Sequence, residues 1–247
     1  MTRPGAGPPA GRGPRRPGRG TPGRATPGRA TPGRGTPGRS TPGRGAEASL
    51  ADPDLLAGRL FFAVPVPGVS RAPLEAALPD LAPLLGGARL TTPGGWHLTL
   101  AFLGQVRPEL ADAVVRVGEA AAAGVPAARL RLEGSGVFPN GRRARVLWAG
   151  IGGDTDVLVR LAASLAAECK AVGLRFEERP LVPHLTLARF STPAPVPEAA
   201  LELVAGAAAA GSEWEARELA CYRSILGGAR GARGARYRVV REFPLAG

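Results

Sequence analysis

The tetrapeptide HLTL occurs twice in this chain, as residues 97–100 and as residues 184–187, and the two copies hold its only histidines. Each copy lies in a short apolar run that predicts a β-strand. Because side chains alternate across a strand, the histidine and the threonine leave one face and the two leucines leave the other. We therefore expect each strand to anchor one face in a core and to present an imidazole beside a hydroxyl group on the other.

The segments around the two motifs predict helices and strands in an order that nearly repeats itself. Helices are expected over residues 70–85, 108–123, 154–172 and 198–210. Strands are expected over residues 59–64, 96–103, 129–133, 145–151, 183–190, 215–224 and 237–243. Pro79 and Pro83 are expected to limit the first helix, and Asp154 is expected to cap the third. The order predicts an α+β fold of two similar lobes whose histidine strands face one central cleft.

The start of the chain differs sharply in composition from the rest. Residues 1–45 are almost entirely Gly, Pro, Ala, Thr and Arg, and residues 21–45 are five pentapeptides that begin TPGR. A unit of turn formers has no apolar face to bury, so nothing offsets the entropy lost when it becomes ordered. We therefore expect a disordered tail and linker over residues 1–57 and one folded domain over residues 58–247. Two interpretations of the tail remain open: it binds RNA or another polyanion through its arginines, or it is dispensable.

Charge and hydropathy exclude several classes of protein. Ten arginines precede Glu47, the first acidic residue, so most of the formal net charge of +12 belongs to the tail. The folded part is nearly neutral, which argues against a basic nucleic-acid-binding domain. With no secretory signal and no run of about 20 apolar residues, a soluble, cytoplasmic protein without a membrane partner is expected. Cys169 and Cys221 are isolated and lack the spacing of a metal or redox site.

Two imidazoles and two hydroxyl groups in one cleft suit the hydrolysis of a phosphodiester. One imidazole can remove a proton from the attacking water while the other delivers a proton to the leaving oxygen, and both groups titrate near neutral pH. The hydroxyl groups would donate hydrogen bonds to the non-bridging phosphate oxygens. A structural role would not require both histidines in the same motif, and a metal site would require ligands that neither motif strand supplies. We therefore expect no metal ion or other cofactor.

The paired motifs, together with the segments RLFFAV, WHLTLAFLG, RVLWAG, PHLTLAR and CYRS, resemble the 2H phosphoesterase superfamily. Within it they are most similar to the bacterial RNA 2′,3′-cyclic phosphodiesterases, historically called 2′-5′ RNA ligases. The resemblance covers about residues 58–245 and excludes the tail. It implies a bilobal, pseudo-symmetric fold with two antiparallel sheets flanked by helices. It also implies metal-independent hydrolysis of a terminal RNA 2′,3′-cyclic phosphodiester to a 2′-phosphomonoester.

The resemblance implies a role for each motif residue. His97 would be the proton donor to the departing 3′ oxygen, and His184 would be the proton acceptor that activates water. Thr99 and Thr186 correspond to threonines that contact the phosphate. Which histidine is the acid and which is the base does not follow from the residues themselves.

Arg189 also fits the motif as a residue that contacts the phosphate. Strict alternation, however, places it on the face of Leu185 and Leu187, away from the cleft. Such a contact therefore requires a twist or a strand end at this point. The loop over residues 227–236 is longer and richer in arginine than the family leads us to expect, which affects how a substrate would reach that edge.

Two other functions stay open at this point. One is a protein that binds RNA ends without catalysis, in which the tail supplies the affinity. The other is an enzyme of the same type that acts on small cyclic nucleotide phosphates or joins RNA through 2′-5′ bonds. The expected partner is an RNA that ends in a 2′,3′-cyclic phosphate, and the protein is expected to act as a monomer.

Overall fold

The computed structural model of the chain describes residues 53–226 and 235–246. The predictions for residues 1–52, and for most of the arginine-rich loop, therefore concern parts of the chain outside the described residues. No helix in the described ranges is long and apolar enough to cross a membrane.

The described residues form nine strands and four α-helices. The strands are β1 Gly58–Pro65, β2 Arg89–Leu90, β3 His97–Val106, β4 Ala128–Phe138, β5 Ala144–Gly153, β6 His184–Ala194, β7 Trp214–Ala216, β8 Glu218–Leu226 and β9 Ala235–Pro244. The helices are α1 Gly68–Leu84, α2 Ala111–Ala122, α3 Thr155–Ala171 and α4 Glu198–Ala209. Short 3₁₀ turns at Pro93–Gly95 and Pro108–Leu110 precede β3 and α2.

The strands are arranged in two antiparallel sheets, and each sheet contains one of the HLTL motifs. The first sheet has the order β3-β1-β8-β9, and the second has the order β2-β6-β5-β4-β7. Helices α2 and α3 pack on each other, with α2 against β8 and β9, while α1 packs on α4 and α4 covers β4 and β5. The predicted α+β architecture with two antiparallel sheets is confirmed.

Strand β1 lies inside the first sheet, between β3 and β8, and is apolar on both faces because both are buried. Leu60, Phe62 and Val64 join the main core of the protein. Phe61 and Ala63 leave the opposite face and belong to a second, smaller apolar cluster. The run RLFFAV therefore supplies the core on one side and the floor of a cleft on the other.

Helix α1 continues through the two prolines that were expected to limit it, so that prediction is wrong. The missing amide hydrogens of Pro79 and Pro83 leave carbonyl groups such as that of Glu75 without a helical partner. All three residues lie on the exposed face of the helix, where water can bind these carbonyl groups. Leu74 and Leu81 are fully buried on the other face and hold the helix against the core.

Asp154 lies at the start of α3, but its side chain does not cap that helix. Its carboxylate accepts a hydrogen bond from the backbone N–H of Arg129 at 2.9 Å, and its own backbone N–H donates to the carbonyl oxygen of Arg129 at 2.9 Å. The predicted cap is therefore wrong, because β4 runs alongside and competes for the carboxylate. Asp154 extends the pairing of β4 with β5 instead.

Close packing of α2 on β9 generates a prediction about stability. A β-carbon at Gly118 would overlap the ring of Phe243, which is only 2% exposed. We expect Gly118→Ala to lower the free energy of unfolding by about 1–3 kcal/mol, as overpacking of a core does. Urea denaturation measures this change.

Gly206 in α4 provides the matched control, since a β-carbon there meets no atom within 4 Å. Gly206→Ala should raise the free energy of unfolding by about 0.5–1 kcal/mol, because alanine loses less backbone entropy in a helix. Equal effects of the two substitutions would contradict the packing described for α2.

Candidate active site

The first motif histidine is held rigidly where β3 begins. The Nδ1 atom of His97 lies 2.6 Å from the carbonyl oxygen of Gly95. Its ring centroid is 4.6 Å from that of Phe61 and 5.2 Å from that of Tyr222, and Tyr237 meets it edge-on at 4.9 Å. One hydrogen bond and three aromatic contacts therefore fix the orientation of the imidazole.

The second motif histidine is held in the same way at the start of β6. The Nδ1 atom of His184 lies 2.7 Å from the carbonyl oxygen of Val182. The ring of Phe138 meets the imidazole edge-on at a centroid distance of 5.1 Å, and that of Trp148 lies at 6.1 Å. The two sheets thus use one local design, in which Nδ1 bonds the carbonyl group two residues upstream.

This shared hydrogen bond determines which nitrogen is free for chemistry. A carbonyl oxygen only accepts, so Nδ1 carries the hydrogen in both rings and donates it. The Nε2 atom of each ring is not used in this hydrogen bond and can interact with a substrate. A neutral ring then offers Nε2 as a proton acceptor, and a charged ring offers Nε2–H as a proton donor.

A β-bulge in β6 changes the expected position of Arg189. Thr186 lies opposite Trp148 and Arg189 lies opposite Val146, so the four residues 186–189 of β6 pair with only three residues of β5, 146–148. Trp148 and Val146 are two residues apart and share a face, and their partners Thr186 and Arg189 therefore share it as well. The extra residue is Leu187. Strict alternation had placed Arg189 on the opposite face, which is wrong because the bulge reverses the alternation at this point.

The same irregularity occurs at the equivalent position of β3. Thr99 lies opposite Ala63 and Phe102 lies opposite Phe61, so Leu100 is the extra residue. Phe102 therefore shares the face of Thr99, as Arg189 shares the face of Thr186. In both motifs, HLTLAF and HLTLAR, the first, third and sixth residues face the same side. The two halves differ at the sixth position, which is aromatic in one and cationic in the other.

The two motif strands contact each other, and a cleft lined by Arg189, Gly95 and Tyr237 lies beside them. The charges of Arg189 and His184 both act on His97 and lower its pKa. His97, His184 and Arg189 are thus electrostatic neighbours, with Thr99 and Thr186 on the same faces as the two histidines.

Burial depresses the basicity of both imidazoles. The pKa of His97 is lowered from 6.5 to about 4, mainly because burial removes the hydration of the charged ring. The hydrogen bond to Gly95 raises the pKa in part, and the charge of Arg189 lowers it further. Loss of hydration also lowers the pKa of His184. The hydrogen bond to Val182 raises this pKa in part, and the charges of Arg179 and Arg189 lower it further. Both rings are therefore neutral near pH 7 when the cleft is empty. An anion bound directly beside one of the imidazoles would favour the charged form of that ring.

The hydroxyl group of Thr91 links the two motifs. Its Oγ1 atom lies 2.8 Å from the carbonyl oxygen of Thr186 and 3.0 Å from that of Leu187, and it donates to this pair. The same oxygen accepts a hydrogen bond of 2.7 Å from Nε1 of Trp96, the residue before His97. Thr91 therefore ties the bulge of the second motif to the start of the first.

The two cysteines belong to the main core of the protein. Both are free and buried, and burial raises the pKa of the Cys169 thiol to about 11 and that of Cys221 to about 12. These thiols are protonated and serve as small apolar core residues. Among residues 53–226 and 235–246, no three His, Cys, Asp or Glu side chains are grouped so that they could hold a metal ion.

Sequence reasoning missed the aromatic residues around His97 and the bridge through Thr91. One signal was available for Phe61: the adjacent Phe61 and Phe62 must leave opposite faces of a strand, so one of them had to face the cleft. Thr91 carried no local signal, because its partners in β6 lie 95 and 96 positions away.

Two sheets that each present a histidine and a threonine to one cleft define the class of 2H phosphoesterases. The family model described as the 2′-5′ RNA ligase superfamily matches residues 92–227, a range that includes both motifs. An RNA 2′,3′-cyclic phosphodiesterase of Thermus thermophilus is 34% identical over 196 residues, which cover 76% of this chain and 91% of that relative. The chain belongs to the 2′-5′ RNA ligase superfamily, as the motifs predicted.

Further relatives and solved structures agree with this assignment. An RNA 2′,3′-cyclic phosphodiesterase of Geobacillus stearothermophilus is 28% identical over 189 residues, 76% of this chain and 57% of the relative. The crystal structure of TT0787 of Thermus thermophilus superposes with a TM-score of 0.59 at 32% identity, covering 76% of this chain and 97% of that one. Escherichia coli LigT complexed with 3′-AMP gives a TM-score of 0.57 at 26% identity, covering 77% and 99%.

The bridge through Thr91 leads to a prediction about stability. Thr91→Val keeps the shape of the side chain but leaves Nε1 of Trp96, a residue only 4% exposed, without its acceptor. We expect the free energy of unfolding to fall by about 1–3 kcal/mol, the cost of an unsatisfied buried donor. Thr92→Val is the control, because Thr92 is exposed and its side chain makes no capping hydrogen bond. A Thr91→Val variant as stable as Thr92→Val would refute the proposed bridge.

The depressed pKa of His97 predicts a specific dependence of stability on pH. Between pH 6.5 and about pH 4 the unfolded chain protonates this histidine and the folded protein does not, so the folded state loses stability as the pH falls. His97→Gln removes that contribution. Between pH 7 and pH 4 the wild type should lose more unfolding free energy than the variant, by about 3 kcal/mol at most. Urea denaturation of both proteins across this range measures the difference, and parallel losses would argue against a neutral, buried His97.

Proposed function

We propose that this protein hydrolyses the terminal 2′,3′-cyclic phosphodiester of RNA to a 2′-phosphomonoester. Catalysis is metal-independent and uses His97 and His184 as acid and base. The observation that carries this proposal is the matched pair of imidazoles, each held through Nδ1 with Nε2 free, on strands that contact each other. The substrate is supported by the relatives named RNA 2′,3′-cyclic phosphodiesterase and by LigT, which has been crystallised with 3′-AMP. The activity is assigned to residues 58–247.

The two histidines divide the proton transfers of the reaction. Water attacks phosphorus while Nε2 of His184 accepts one of its protons. The bond between phosphorus and O3′ breaks, and Nε2–H of His97 gives its proton to the departing oxygen. The ester to O2′ remains, so the product is a 2′-phosphomonoester. Solvent then takes the extra proton from His184, and His97 takes up a new proton from solvent when the next substrate anion binds.

Neutral donors and one cation would stabilise the charge that develops on the non-bridging oxygens. Thr99 and Thr186 lie on the histidine faces and offer a hydroxyl hydrogen each. Arg189 is brought to the face of Thr186 by the bulge at Leu187. A guanidinium group can donate two parallel hydrogen bonds to a phosphate, which orients the phosphorus for attack along the line of the leaving oxygen.

The substrate itself supplies the charge that a proton donor needs. With a pKa of about 4, His97 is neutral in the empty cleft. A phosphodiester anion bound beside it favours the imidazolium form and offsets the positive field of Arg189. His184, whose pKa is also lowered, stays neutral and suits the role of base. Binding of the substrate thus also converts His97 to the charged form that can donate a proton.

The test uses an oligoribonucleotide with a 2′,3′-cyclic phosphate end and purified protein in EDTA. The wild type should form the 2′-phosphate and not the 3′-phosphate, two products that chromatography separates. His97→Ala and His184→Ala should each lower kcat by about 10²–10⁴, the usual value of one general acid or base. Circular dichroism verifies that the variants are folded.

Arg116→Gln on the exposed face of α2 serves as the control and should turn over the substrate at the wild-type rate. Unchanged rates in both histidine variants would refute the catalytic roles. Formation of the 3′-phosphate would refute the proposed direction of opening, and loss of activity in EDTA would refute metal independence.

A further inference from the structure

Two arginines occupy a cross-strand pair in the second sheet. Arg89 of β2 lies directly opposite Arg189 of β6. Like charges at directly opposed positions destabilise a sheet. Within the described ranges, neither guanidinium has a carboxylate within 4 Å. The fold therefore keeps two adjacent positive charges that form no ion pair within residues 53–226 and 235–246, although the folded part as a whole is nearly neutral.

Both arginines face the cleft. Residues at directly opposed positions of two neighbouring strands project from the same face of the sheet, so Arg89 shares the face of Arg189. The bulge at Leu187 places that face on the side of Thr186. Arg89 was not among the residues that the motifs indicated, because β2 is only two residues long and has no periodic pattern.

A cavity of about 540 Å³ opens next to this pair. Its lining includes Arg89 and Arg189, with Arg236, Tyr237 and Gly95 on other sides. Two of these residues also hold His97: the carbonyl group of Gly95 accepts its Nδ1 hydrogen, and the ring of Tyr237 lies edge-on to it. The cavity therefore adjoins the position proposed for the cyclic phosphate and is large enough for a further nucleotide unit.

An RNA chain brings a second anion to this position. Beyond its cyclic end, the terminal nucleotide is joined through its 5′ oxygen to the next phosphodiester, which carries one negative charge. We propose that Arg89, beside the Arg189 that serves the cyclic phosphate, binds this preceding phosphodiester and so favours RNA chains over free nucleoside cyclic phosphates. This inference rests on the proposed function, and it adds a second anion subsite that selects the substrate by its length.

The experiment compares three substrates that share the cyclic end. They are a nucleoside 2′,3′-cyclic phosphate, a dinucleotide with a charged phosphodiester linkage, and the same dinucleotide with a neutral methylphosphonate linkage. In the wild type, kcat/KM should be about tenfold higher for the charged than for the neutral dinucleotide, as expected for a charge-assisted hydrogen bond. Arg89→Gln should reduce this ratio to near one.

Arg116→Gln removes one exposed positive charge on α2 and should keep the wild-type ratio. The inference is overturned if Arg89→Gln retains the full preference for the charged linkage, or if Arg116→Gln loses as much of it. A wild type with no preference between the two dinucleotides overturns it as well.

A failure of the proposed function is distinguishable from a failure of the subsite. If the wild type opens none of the three substrates, the proposed function fails. The subsite is then tested by measuring the binding of dinucleotides. Fluorescence anisotropy with labelled dinucleotides that end in a 2′-phosphate should give about tenfold tighter binding of the charged linkage by the wild type and no difference with Arg89→Gln. Equal affinity of the wild type for both linkages would overturn the subsite.

Discussion

One extra residue in each motif strand determines what the cleft contains. An undistorted strand sends alternate side chains to opposite faces, so it can present only odd or only even positions of HLTLAF or HLTLAR. The bulges at Leu100 and Leu187 reverse the alternation after the threonine. Positions one, three and six then reach the cleft, while leucines at position two stay in the core. The hydrogen bond from each Nδ1 then orients the imidazole on a strand whose face the bulge has already defined.

Much of this architecture follows from local sequence patterns. The duplicated motif, the β-compatible runs around it and the order of helices predicted two antiparallel sheets with one histidine strand each, which the structure confirms. Patterns of this kind succeed because burial of one face imposes a period on the chain. The same patterns predicted that His97 and Thr99 share one strand face and that His184 and Thr186 share another.

The features that sequence patterns missed depend on partners distant in the chain. A bulge is a property of two paired strands, so the position of Arg189 depends on how β6 pairs with β5. The bridge through Thr91 requires β2 to lie beside β6. Pro79 is tolerated within α1 because the face that carries it is exposed, and local sequence did not specify that exposure.

The electrostatics of the cleft differ between the two halves despite their similar backbones. The sixth motif residue is Phe102 in one half and Arg189 in the other, so the cation lies on one side of an otherwise matched pair. Burial is the main cause of the lowered pKa of both histidines, and the charge of Arg189 adds to it. An anion bound to Arg189, as proposed for the substrate, would weaken that field at His97 and would itself attract the imidazolium form. In the proposed mechanism, the empty site would therefore resist protonation and the occupied site would favour it, so that His97 holds a proton for the departing 3′ oxygen once the substrate is bound.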